Sequence, residues 1–297
     1  MMRFSALLKL LVVAGIGFSF LVCLPAHAAA ADVLIFVDDF STNTGRWILT
    51  GNHLPVRTSG YMEMTDLGGS ESAVMWFDTQ IVSSFNITFD FWAGGGSGAD
   101  GFCFMFFKQT GYTPSTGGGL GFIDNGGNPV PGYGIEFDNW NNGAPNDPSA
   151  NHIALINNTV WNHLAYENDA RTEDSTWHTV WIAVTPTSVA VSVDVQNPPV
   201  ISWTGVFSIL YGGLGFGAGT GGSTNYHRID NVALYLPDYV VVVPGGGSQS
   251  TQQVATQGTT QAATSPDATG NLLASTMVLG TAAFLLVAIW RRRRDEE

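Results

Sequence analysis

Residues 134–152 read GIEFDNWNNGAPNDPSANH. Side chains two apart on an extended strand share a face, so Glu136 and Asp138 point the same way, and Trp140 and Asn142 continue that face as the chain leaves the strand. Two carboxylates held this close repel. A cation between them relieves the repulsion, and so does a catalytic use of the pair. The rest of the chain decides between the two.

Outward from this stretch the pattern is all-β. Short runs rich in Val, Ile, Phe, Trp and Thr (VLIFVDDF, AVMWFDT, FNITFDFW, GFCFMFF, HIALIN, HTVWIAVT, SVAVSVDV, VALYL) alternate with Gly, Asn, Pro and Ser clusters. Val189, Val191 and Val193 share one face of their run, whereas residues 102–107 are apolar on both faces. That mixture predicts a two-sheet β-sandwich with fully buried central strands. Residues 32–243 suffice for one domain with a substantial core.

Composition narrows the partners. Between Asp32 and Gly270 there are 21 Asp and Glu but only Arg46, Arg57, Lys108, Arg171 and Arg228 as basic residues. Nucleic acid, which needs a basic face, is excluded, and cations or neutral ligands remain. Cys103 stands alone in this region, so no disulfide is expected within it, and its apolar setting predicts a buried thiol.

The ends predict display outside a membrane. Residues 1–28 carry Arg3 and Lys9, an apolar stretch and the small-residue exit Ala26-His27-Ala28, as a secretory signal peptide does. Residues 244–270 are rich in Gly, Ser, Thr and Gln, which reads as a flexible stalk. Leu272 to Trp290 is a run of 19 residues without a charge, long enough for a single-pass transmembrane helix. Residues 291–297 begin with four arginines, which predicts a cytoplasmic tail and an N-terminus outside the plasma membrane. A sorting tail cleaved during surface attachment is the alternative, and it too leaves the domain outside.

Within the opening stretch, Glu136, Asp138, Trp140, Asn142, Asp147 and His152 form the pattern E-x-D-x-[aromatic]-x-N-x4-D-x4-H. This resembles the metal-binding segment of the legume-type (L-type) lectins, with the look of a bacterial or archaeal membrane-anchored member. Ala99-Asp100-Gly101 resembles the family's A-D-G motif, and Thr116 to Gly121 (TGGGLG) its Gly-rich sugar-site loop. DDFSTNTGRWILTGN and STWHTVWIAVTP extend the likeness over nearly all of 32–238. The resemblance implies a concanavalin A-like jelly-roll sandwich that binds carbohydrate and is not an enzyme.

The residue types agree with that chemistry. Asp138, Asn142, Asp147 and a backbone carbonyl are hard oxygen donors of the kind calcium takes. Adding Glu136 and His152 makes a mixed nitrogen and oxygen set suited to manganese or another transition ion. By resemblance, calcium is held by the Trp140 carbonyl and the Asn142 side-chain oxygen together with Asp138 and Asp147. The same likeness implies that Asp100, a Gly-loop N–H, that of Gly119 or Gly118, the Asn142 amide and the Trp140 ring meet the sugar. It also implies a cis peptide at Ala99–Asp100 and a specificity loop in Gly219 to Asn225.

Blander readings stand beside these. Asn and Asp in loops are commonly turn formers, and His178 and His227 read as structural. Glu136-x-Asp138 also resembles the strand motif of retaining β-glucanases, but a retaining hydrolase needs a further carboxyl group, and Trp140 and Asn141 stand where it would fall. A structural adhesion domain without sugar binding is the third reading.

Overall fold

The computed structural model describes residues 32–237 except 59, 83 and 144–146. The expected signal segment, stalk, membrane span and tail, and residues 238–243 of the expected domain, lie outside the described residues. Sixteen strands and two short 3-10 turns make up the regular structure of the described residues. The strands are β1 (Val33–Asp38), β2 (Trp47–Gly51), β3 (Val56–Thr58), β4 (Tyr61–Thr65), β5 (Ser72–Phe77), β6 (Ile81–Val82), β7 (Phe85–Gly94) and β8 (Gly101–Lys108). They continue with β9 (Tyr133–Asp138), β10 (His152–Asn157), β11 (Thr159–Asn168), β12 (Trp177–Thr185), β13 (Ser188–Val193), β14 (Ile201–Thr204), β15 (Tyr211–Gly219) and β16 (Tyr226–Leu236).

Two antiparallel sheets of eight strands face each other. One runs β14-β13-β12-β7-β16-β4-β3 with β1 added to β16, and the other runs β11-β10-β9-β8-β15-β5-β2 with β6 added to β15. Neighbours in each sheet are often distant in sequence, so the domain closes only when the whole chain is in place.

Phenylalanine fills the space between the sheets. Phe85, Phe89 and Phe91 of β7 meet Phe102, Phe104 and Phe106 of β8, with Phe137 and Phe216 from the flanking strands. The rings of Phe102 and Phe137 stack 4.5 Å apart at an interplanar angle of 5°. Val189, Val191 and Val193 all enter this core, as their alternation predicts.

The second sheet is covered on its outer face as well. Cys103 and Met105 of β8, and Ala154 and Ile156 of β10, pack there against Leu120, Phe122 and Ile123 from the long β8–β9 connection. Strands buried on both faces cannot alternate apolar with polar, which is why residues 101–107 read as a continuous apolar run. At one end of this outer layer the apolar residues give way to carboxylates and imidazoles.

Candidate metal centre and sugar site

Register across three strands builds the acidic set. Gly101, Asp138 and His152 lie opposite one another on β8, β9 and β10, and Cys103, Glu136 and Ala154 form the parallel row. Alternation therefore turns Phe137 into the core while Glu136, Asp138 and His152 share the outer face. Asp138 ends its strand by accepting the Trp140 N–H at 2.7 Å, an Asx-type turn that starts the ligand loop. Farther along, the Asn142 N–H donates to Asp147 Oδ2 at 2.5 Å, closing the loop on itself.

Within this loop the expected ligands converge. Donor atoms of Asp138, Asp147 and His152 lie within 4.8 Å of one another, as do those of Glu136, His152 and His163. His152 Nε2 is 3.1 Å from Glu136 Oε1, and its Nδ1 is 3.2 Å from the Ser149 carbonyl. The Asn142 amide nitrogen lies 3.5 Å from the Trp140 carbonyl oxygen, so both groups border one space. Trp140 is 43% exposed, which leaves its ring available to solvent beside the buried acids.

Electrostatics express the crowding. Burial, then the charges of Glu136 and Asp147, push Asp138 up to about 10, against the opposing Trp140 N–H. Burial and the Asp147 charge push Asp100 up to about 6. Deprotonated, these oxygens are costly unless a positive charge meets them. Two buried carboxylates, an amide oxygen and a backbone carbonyl at one loop are the donors a hard cation takes, so the residues fit calcium.

Asp100 joins this set to the glycine loop. The Ala99–Asp100 peptide is cis, Asp100 is buried, and its Oδ2 has no hydrogen-bond partner among the described residues. Its carbonyl accepts the Asn139 N–H at 2.8 Å, and its own N–H donates to Gly219 O at 3.1 Å. The loop Gly219 to Asn225 thereby lies against the aspartate, and a Cβ at Gly221 would come within 3.0 Å of Asp100 Oδ2.

The two candidate glycines differ in place. Gly119 is buried, its N–H pointing to Thr116 O at 3.4 Å within the turn Gly117–Gly119, and a Cβ there would strike Ser115. At Gly118 a Cβ would instead meet the Asn142 side chain at 2.7 Å. It is Gly118, rather than Gly119, that abuts the Asn142 amide.

A buried network supports the junction. The Asn139 amide donates to Thr172 O at 2.5 Å, so its oxygen accepts from His227 Nε2 at 2.9 Å. Burial pushes His227 down to about 3, which keeps the ring neutral and able to serve as this donor. Its other nitrogen meets Thr65 Oγ1 at 2.7 Å. His227 and His178, the latter held between Asp174 and Asp194, are thus structural, and Cys103 is buried, as expected.

His163 is the residue that sequence reasoning missed. Leu155 pairs with Ala165, but a β-bulge makes Ile156 pair with His163, one residue out of register. Without the bulge His163 would oppose Asn157 and face the other side; with it, His163 joins the face of Ala154 and His152. Leu164 and Ala165, adjacent in sequence, both pack on the core, which is the trace such a bulge leaves.

No protein-family model and no curated protein matches the chain. Among solved structures it is similar to the lumenal domain of VIP36 with calcium and mannose bound, at 18% identity over 69% of this chain and 89% of that chain, with a TM-score of 0.55. It is also similar to the lectin from Bauhinia forficata in complex with GalNAc, at 16% identity over 69% of this chain and 98% of that chain, TM-score 0.57. Peanut lectin in complex with a 9mer peptide gives 21% identity over 69% of this chain and 97% of that chain, TM-score 0.57. With 89 to 98% of the length of these proteins covered, the described domain has the L-type lectin fold.

Proposed function

We propose that the chain is a non-enzymatic, calcium-dependent glycan-binding protein held on the outer face of a membrane. The observation that carries this reading is Asp100: a buried carboxylate with an unpartnered oxygen, joined through Asn139 to the strand of acidic residues and lying beside Gly117 and Gly221. A group so placed can accept hydrogen bonds from neutral hydroxyls. The Asn142 amide and the Gly118 N–H would supply donors, and the exposed Trp140 ring would supply an apolar face for a pyranose. Asp138, Asp147, the Asn142 side-chain oxygen and the Trp140 carbonyl would hold calcium, whose charge would keep Asp100 ionised and able to accept.

The likeness to lectin structures that contain mannose with calcium, or GalNAc, supports a glycan as ligand. Sugar hydroxyls exchange water hydrogen bonds for protein ones, so a single site binds weakly. Many copies on one membrane, each on a stalk of residues 244–270, would supply avidity. A glycan array probed with the full-length chain immobilised densely on beads, with calcium and then with chelator, tests the reading. Binding in calcium that disappears with chelator is expected; oligosaccharide cleavage that Glu136→Gln abolishes would replace this reading with a glucanase.

A further inference from the structure

We infer that the second cation position, beside calcium, is a nitrogen-rich site for a zinc-class ion, with His163 as a direct ligand alongside His152 and Glu136. The inference rests on the metal-binding reading above and sharpens it, because carboxylate-dominated sites suit manganese whereas added imidazoles favour zinc, cobalt or nickel.

The geometry carries three points. His152 Nδ1 faces the Ser149 carbonyl at 3.2 Å; a carbonyl only accepts, so Nδ1 is the donor there and Nε2 is the nitrogen turned toward the acidic set. Nε2 faces Glu136 Oε1 at 3.1 Å, with Glu136 and His152 both buried to within 1%. His163 Nε2 lies 2.7 Å from the same oxygen, so both imidazoles converge on the Glu136 carboxylate. The two imidazoles meet edge to face, 5.4 Å between centroids, so their nitrogens converge without the rings colliding.

Nitrogen from two imidazoles and oxygen from Glu136 thus surround one point. Asp138 stands opposite His152 on the neighbouring strand and groups with His152 and Asp147, so His152 borders both sets of donors. Cys103, although opposite Glu136, turns its sulfur toward Gly134 and stays out of the set. The bulge in β11 gains a purpose on this account: the one-residue shift brings His163 to the metal face.

The test is competition for the metal-free full-length chain by equimolar zinc and manganese in excess calcium, with bound ions counted by elemental analysis after gel filtration. Wild type is expected to retain zinc and little manganese, and its cobalt(II) form to show the visible absorption of a low-coordinate nitrogen-ligated ion. His163→Ser and His163→Asn should lower zinc affinity at least about tenfold and weaken that absorption, while calcium affinity stays unchanged. Unchanged calcium binding also reports that the variants fold. Equal retention of zinc and manganese by wild type, or zinc affinity unmoved in both variants, would overturn the inference and leave the calcium site standing. A wild-type chain that binds neither calcium nor zinc would overturn the inference together with the metal reading on which it rests.

Discussion

Asn139 donates its backbone N–H to the carbonyl of Asp100 at 2.8 Å. One hydrogen bond thus joins the residue that follows the strand of Glu136 and Asp138 to the carboxylate proposed to meet the sugar. Anything that reorganises Asp138 is felt at Asp100 through a single peptide unit.

Metal binding should therefore displace protons. In the metal-free protein Asp138 sits near 10 and Asp100 near 6, both above their ordinary value of 3.8. Raised carboxyl pKa values add stability that is full below pH of about 4 and lost as pH climbs, through 6 for Asp100 and toward 10 for Asp138. Chelated protein should be progressively less stable across that range, and calcium should reverse the trend. Calorimetric titration of calcium at pH 7 in two buffers of different ionisation enthalpy should reveal about one proton released, chiefly from Asp138. No buffer dependence would remove calcium from Asp138.

Lys108 should give a trend of opposite sign. Its ammonium is buried at the end of β8, donates to the Val130 carbonyl at 2.7 Å and lies over the Phe122 ring. Burial pushes it down from 10.5 to about 7. Between those values the unfolded chain holds a proton that the folded chain has released, so stability contributed here rises with pH from about 7 to 10.5. Denaturant unfolding of wild type and Lys108→Met should show this slope only in wild type. Parallel pH profiles would mean that the amine is charged in the fold.

Phe137 lies between Glu136 and Asp138 in sequence but on the opposite face, packed on Phe89, Phe91 and Phe102. Phe137→Ala should cost about 3 to 5 kcal/mol in calcium-saturated protein, from lost burial and the cavity left behind. Denaturant unfolding measures it. A cost below about 1 kcal/mol would show that the core does not hold the ligand strand.

Much of this was legible because burial and chemistry leave traces one residue at a time. Alternation at Val189, Val191 and Val193 and the apolar run at 101–107 gave strands, and the spacing from Glu136 to His152 gave the loop that the fold draws together. Strand β15 (YGGLGFGAG) was hidden, since its glycines answer to neighbours rather than to a periodic pattern: a Cβ at Gly215 would come within 2.3 Å of Met75 O, and one at Gly217 within 2.6 Å of Leu120 O. His163 was hidden for a different reason. Its face is set by a register shift between two strands, and a bulge is a property of the pair that neither strand displays alone.

The central claim is that calcium and sugar share one site through Asp100. The measurement that tests it most directly is the affinity of the best glycan from the array for full-length wild type, Asp100→Ala and Asn142→Ala, across a calcium titration. Wild-type binding should rise with calcium occupancy; Asp100→Ala should abolish glycan binding while leaving calcium affinity within about threefold, because the aspartate is not among the calcium donors; and Asn142→Ala should lose both. Glycan affinity that is independent of calcium, or that survives in Asp100→Ala, would contradict the account.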